Sequence, residues 1–151
     1  MTKILFGTES GNSEMAADDI ADVLRAAGHD AEIVPMEEAD GSTLVGTGFA
    51  VIITSTYGEG ELPETAQPFH DMLASERPDL SGLRFAAFGL GDSTYETYGN
   101  GIDILAALLK DLGATQVGET GRHDAARTEP LADTCTSWAE AVLPATAIAA
   151  E

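Results

Sequence analysis

Three stretches of this chain hold the residues with chemistry to offer. TESGNS, residues 8–13, sets Thr8, Ser10, Asn12 and Ser13 around Glu9 and Gly11, just before a helical pattern begins. STYGEGELPE, residues 55–64, brings Ser55, Thr56, Tyr57 and Gly58. GLGDSTYETYG, residues 89–99, brings Leu90, Gly91, Asp92, Tyr95, Tyr98 and Gly99. Glycines and small hydroxyls ahead of a helix suit an anion, because first-turn N–H groups point outward at the positive end of the helix dipole. No Lys or Arg falls between Lys3 and Arg25, while Glu9 and Glu14 add negative charge. Amides and hydroxyls must therefore do the holding. Tyr57, Tyr95 and Tyr98 sit in loops that need no aromatic for their own sake. A flat ligand with a phosphate tail would use the whole set, with tyrosines against its rings.

Such loops need elements to position them. KILFG (3–7), GFAVIIT (48–54) and RFAAFG (84–89) are short and continuously apolar, which predicts strands buried on both faces. AEIVPM (31–36) and ATQVGE (114–119) are weaker candidates, and Pro35 suggests a sheet edge. Ala16, Ile20, Val23, Leu24 and Ala27 follow a helical stripe, with Asp18, Asp19 and Asp22 off it and Gly28 placed as a C-terminal cap. Ile102, Leu105, Leu109 and Leu112 repeat that pattern before Gly113. Glu64 or Thr65 opens a short helix carrying Phe69, Met72 and Leu73. Thr128 is an N-cap with Pro130 just inside, ahead of a stripe of Leu131, Cys135, Trp138 and Val142 that reads as core packing.

Alternating strands and helices predict a parallel sheet with helices on both faces. No linker, repeat or low-complexity tract interrupts the chain, so residues 1–151 are expected to form one compact domain, fraying in the Ala-rich last eight residues. In open sheets of this kind ligands bind outside the carboxyl ends of the strands, near the switch point. The three chemistry-bearing stretches follow KILF, FAVIIT and RFAAF. They converge on that edge.

Composition narrows the function. Seven basic residues against 26 acidic ones give a net charge of −19. Nucleic acid is excluded as a partner by repulsion, and a basic protein partner is favoured by the same field. A saline habitat is a second source of such acidity. No apolar run approaches the ~18 residues of a membrane span, and MTKILFG is too short for a signal peptide. One Cys leaves no disulfide framework, and His29, His70 and His123 have no partner at metal spacing. The expectation is a cytoplasmic protein with no metal site and no membrane contact.

The order and spacing of TESGNS, STYGEGELPE and GLGDSTYETYG resemble those of the flavodoxins, most closely the flavodoxin-like FMN domains of cytochrome P450 reductase and sulfite reductase. The resemblance spans essentially the whole chain. It implies an α/β three-layer sandwich: a five-stranded parallel sheet of order 2-1-3-4-5, helices on both faces, and FMN as cofactor. Flavodoxin is itself a known example of that order, with its ligand at the β1/β3 switch point. On this sequence the resemblance implies that Thr8, Ser10, Asn12 and Ser13, with the backbone of Glu9 and Gly11, hold the phosphate. Ser55, Thr56, Tyr57 and Gly58 would line one side of the isoalloxazine, with Tyr57 on its inner face. Leu90, Gly91 and Asp92 would meet the polar edge and Tyr95 the outer face, with Tyr98 and Gly99 closing the loop. Asp124 falls near a further flavin contact, with His123 beside it.

Each assignment has a physical job. Gly58 can turn its peptide so that its carbonyl accepts the N5–H that reduction creates, at least strain for a glycine. Glu59, Glu61, Glu64, Asp92 and Glu96 form a rim that disfavours a second negative charge on the ring. None is paired as acid and base, so no bond-breaking chemistry is expected. The implied function is a one-electron carrier of the short-chain flavodoxin type, since no 20-residue insertion interrupts ATQVGET. A flavodoxin reductase or similar donor and a redox-enzyme acceptor, such as a cytochrome P450, are its expected partners, and it is expected to be a monomer. A flavin-dependent NAD(P)H or quinone oxidoreductase on the same fold is the alternative, and an accessory role in another enzyme's maturation is a third. A phosphorylation receiver fails for want of its acid pair, and a nucleotide hydrolase for want of G-x-x-x-x-G-K-[ST]. GEGELP and GLGDST break G-x-G-x-x-G at its last glycine.

Overall fold

The continuous apolar runs become strands because both of their faces are covered. A computed structural model describes residues 2–7, 12–28, 30–39, 49–55, 66–91, 100–117, 120–124 and 131–149. Among these, β1 (Thr2–Gly7), β2 (Ala31–Pro35), β3 (Phe49–Ser55), β4 (Arg84–Gly91), β5 (Thr115–Gln116) and β6 (Gly121–Asp124) form one parallel sheet. Its order is β2-β1-β3-β4-β5, with β6 also paired to β4. The helices are α1 (Asn12–Ala26), α2 (Gln67–Glu76), α3 (Asn100–Asp111) and α4 (Leu131–Ala149).

Alternate strand residues feed two separate cores, as a period of two requires. Leu5, Ala50, Ile52, Phe85 and Ala87 pack with Met36, Phe69, Leu73, Ile102, Leu105 and Leu109 on the α2/α3 face. Ile4, Phe6, Val51, Ile53, Ala86, Phe88 and Leu90 pack with Ala17, Ile20, Leu24, Cys135 and Ala139 on the α1/α4 face. The edge strand β2 carries Pro35 at its end and is only half-buried, as expected there. Gly28 and Gly113 end their helices at φ +91° and +106°, a backbone region where a Cβ is penalised.

Three boundaries differ from the periodicity. The third apolar run is expected to end at Gly89, but its ladder carries β4 on to Gly91. The fifth strand, expected over 114–119, is two short pieces, β5 and β6, at the same side of β4. Gly-Arg-His-Asp in β6 contains no apolar residue, so it leaves no hydrophobic pattern to read. The chain also continues as helix to Ala149, where alanines, strong helix formers, extend α4 into the tail expected to fray. Glu64 and Thr65, proposed to open α2, lie outside the described residues. Ala66 precedes that helix with no side-chain cap, and Pro68 sits in its first turn.

On α1, partial burial first, then the charges of Asp22 and Asp18, raise the Asp19 carboxyl above its ordinary value. A raised acid destabilises the fold above its folded pKa, and the penalty fades as pH falls toward the unfolded value. Asp19→Asn is therefore expected to raise stability at pH 7 by roughly 0.5 kcal/mol, the scale of like-charge neighbours on a helix. The gain should vanish at about pH 3.5. Thermal melts of both proteins at the two pH values measure it; equal melting temperatures at pH 7 would refute it.

Candidate cofactor site

Register lines the strand ends up. Gly7 stands opposite Thr54, Thr54 opposite Gly89, and Gly89 opposite Arg122. One residue further, Ser55 pairs with Leu90 and Leu90 with His123, and Gly91 then pairs with Asp124. The three stretches picked out by their chemistry thus leave adjacent strands at one edge, spanning the β1/β3 switch point.

Asn12 and Ser13 are the first residues of α1 and belong to the helix itself. The first N–H groups of a helix have no intrahelical acceptor and stay available to an anion. Ser55 closes β3, and Leu90 and Gly91 close β4, so these three are strand residues at the loop mouths. Leu90 is buried on the α1/α4 face. Thr8, Glu9, Ser10, Gly11, Thr56, Tyr57, Gly58, Asp92, Tyr95, Tyr98 and Gly99 lie outside the described residues. The fold brings their attachment points together at this edge.

Glycines let the mouths of these loops converge. A β-carbon on Gly7 would lie 2.5 Å from the Ala66 Cβ and 2.9 Å from the Met36 Sδ, so the end of β1 packs closely on the residue before α2 with no room for a side chain. A β-carbon on Gly89 would lie 2.5 Å from the Ile102 Cγ2, in the first turn of α3. Gly7, the last described residue before 8–11, is thus close to Ala66, the first described residue after 56–65, and β4 is close to α3 two residues before 92–99 begin. Neither glycine is among the residues expected to serve the site. From sequence they look like ordinary strand-end glycines, and only the close approach reveals them.

The electrostatics of this edge match the sequence. Lys3 and Arg84 lie toward the amino ends of their strands, Arg25 and Lys110 in the last turns of α1 and α3, and Arg77 just past α2. All five belong to the opposite end of the sheet. Arg122 is the one described cation near the carboxyl edge, and its guanidinium donates to Asp103 Oδ1 at 2.7 Å. Thiol chemistry is absent: burial, then the Asp19 charge, pushes the Cys135 thiol up to about 12, so it is no thiolate at neutral pH.

The residues present fit FMN. The N-terminus of α1, whose first amides suit a phosphate, lies at the same sheet edge as the adjacent ends of β1, β3 and β4.

Comparisons agree with this geometry. The flavodoxin family profile matches residues 4–138. Protein MioC of Escherichia coli K12 is 38% identical over 119 residues, which is 78% of this chain and 78% of MioC. NADPH–cytochrome P450 reductase of Drosophila melanogaster is 34% identical over 126 residues, covering 80% of this chain but 19% of the reductase. The crystal structure of oxidised flavodoxin 2 from Bacillus cereus superimposes with a TM-score of 0.86 at 32% identity, covering 95% of this chain and 98% of that one. The chain belongs to the flavodoxin family, the FMN-carrying electron-transfer proteins.

Proposed function

We propose that residues 1–151 act as one FMN-bearing domain, moving single electrons between a separate reductase and a separate redox enzyme and making no bond change of its own. The observation that carries this reading is the shared carboxyl edge of β1, β3 and β4, with the N-terminus of α1 beside it and no unpaired cation among the described residues there.

The first-turn amides of α1, with the hydroxyls of Thr8, Ser10 and Ser13 and the amide of Asn12, hold the phosphate. Bound FMN supplies two successive one-electron steps. Tyr57 and Tyr95 would cover the ring faces and keep water off them. Gly58 would offer its carbonyl to the flavin's polar edge, at low strain because glycine tolerates a turned peptide. Leu90, Gly91 and Asp92 meet the polar edge, with Tyr98 and Gly99 ending that loop. Glu59, Glu61, Glu64, Asp92 and Glu96 raise the cost of a second negative charge, which sets the last electron at low potential.

The rim acids suit basic docking faces on both donor and acceptor. A cytochrome P450 is a fitting acceptor, supported by the likeness to a P450 reductase. No described helix is long and apolar enough to cross a membrane. A cytoplasmic monomer is the setting that fits this carrier.

Mixed with NADPH alone, the FMN-loaded protein is expected to consume no measurable NADPH. Adding a catalytic amount of an NADPH-dependent flavodoxin reductase should reduce it, with a rate falling roughly tenfold between 0.05 and 0.5 M NaCl as screening removes the steering. Rapid NADPH oxidation without the reductase would instead make it an oxidoreductase.

A further inference from the structure

β6 is an odd strand to find beside a cofactor site. Gly-Arg-His-Asp has no apolar side chain to bury, so its place on the sheet depends on its ladder with β4 and on how closely it can approach its neighbours. Gly121 is a point of very close approach. A β-carbon there would lie 2.5 Å from Phe88 Cδ2, 2.5 Å from Trp138 Cδ1 and 2.6 Å from Trp138 Nε1. Those two rings are themselves locked together edge to face, with centroids 5.2 Å apart and planes at 61°. Phe88 is fully buried, so it has no room to swing aside.

We propose that Gly121 is a positioning residue for the cofactor: its missing side chain seats β6 between Phe88 and Trp138, and so fixes His123 and Asp124 opposite Leu90 and Gly91 at the flavin edge. On the opposite face of β6, Arg122 ties the same strand to Asp103 in the first turn of α3, the helix that follows residues 92–99. The strand is thereby held from both faces, and His123 and Asp124 stand level with the last two residues of β4. A side chain at Gly121 would push β6 away from the ring pair and carry His123, Asp124 and the Arg122–Asp103 tie with it. The inference rests on the FMN reading above and concerns the geometry that serves it.

The test uses the full chain loaded with FMN, following flavin fluorescence for affinity and spectroelectrochemistry for potential. Gly121→Ala is expected to raise the dissociation constant about tenfold, the scale of one overpacked core contact, and to shift the first reduction potential. Trp138→Leu removes two of the three clashing atoms and opens space beside Gly121. Alone it should lower the melting temperature and cost less affinity than Gly121→Ala, because Phe88 and the Arg122–Asp103 tie still hold β6. The double variant Gly121→Ala/Trp138→Leu should match Trp138→Leu in both affinity and potential, a coupling expected only of residues in contact. The proposal is overturned if Gly121→Ala matches wild type in both readouts. It is equally overturned if Trp138→Leu alone loses as much affinity, or if the double variant falls below Trp138→Leu. Should Gly121→Ala not fold, the double variant is compared with Trp138→Leu: equal affinities and potentials support the seat, and a persisting loss overturns it. A wild-type protein that binds no FMN would overturn the cofactor reading instead, so the two failures are distinct.

Discussion

Gly7→Ala is expected to weaken FMN binding between about ten- and about a hundredfold in a protein that still folds. The added methyl would meet the Ala66 Cβ at 2.5 Å and its Cα at 3.2 Å. Met36, the third neighbour, can change rotamer, but Ala66 has no rotamer to change, so the end of β1 and the start of α2 must part. Overpacking of this kind costs roughly 1–3 kcal/mol. Here the strain falls between the residue before 8–11 and the residue after 56–65, so much of it should appear as lost affinity, at about 1.4 kcal/mol per tenfold. Gly82→Ala provides the contrast, since nothing lies within 4 Å of a β-carbon there. It should bind FMN as wild type does. Fluorescence titration of the two variants side by side decides the matter; equal affinities would show that the contact between Gly7 and Ala66 does not shape the site.

Tyr95→Ala should have an effect of similar size by a different route. A tyrosine covering the outer ring face contributes area burial and stacking together worth about 2–3 kcal/mol. Its loss should raise the dissociation constant between about thirty- and about a hundredfold. The first reduction potential should shift, and the second should rise, because water replacing a phenol ring eases negative charge on the flavin. Melting of the FMN-free protein should be unchanged, which separates lost stacking from lost fold. Unchanged affinity and potentials would mean that another group covers the ring.

The framework was legible in the sequence because buried parallel strands leave a signature on both faces. KILFG, FAVIIT and RFAAF needed no partner information to be read as strands, and Pro35 placed β2 at the edge. β6 was not legible, since Gly-Arg-His-Asp is held by backbone pairing and by the absence of a side chain at Gly121, neither of which makes a periodic pattern. Gly7 and Gly89 were opaque for the same reason: a glycine that ends a strand looks alike whether it turns the chain or admits Ala66 or Ile102. Lys3 and Arg25 bracket a stretch of sequence without cations, and the fold sends both to the far end of the sheet. The cofactor itself was legible by likeness. The hydroxyls before α1 indicate only an anion, and it is the likeness of the tyrosine-bearing stretches to those of the flavodoxins that points to a flavin.

An anaerobic reductive titration of the FMN-loaded protein, followed by absorbance, tests the carrier function most directly. Two separate one-electron steps are expected, with a long-wavelength band rising and then falling and the second step at much lower potential. A single two-electron step with no intermediate band, driven by NADPH alone, would contradict it.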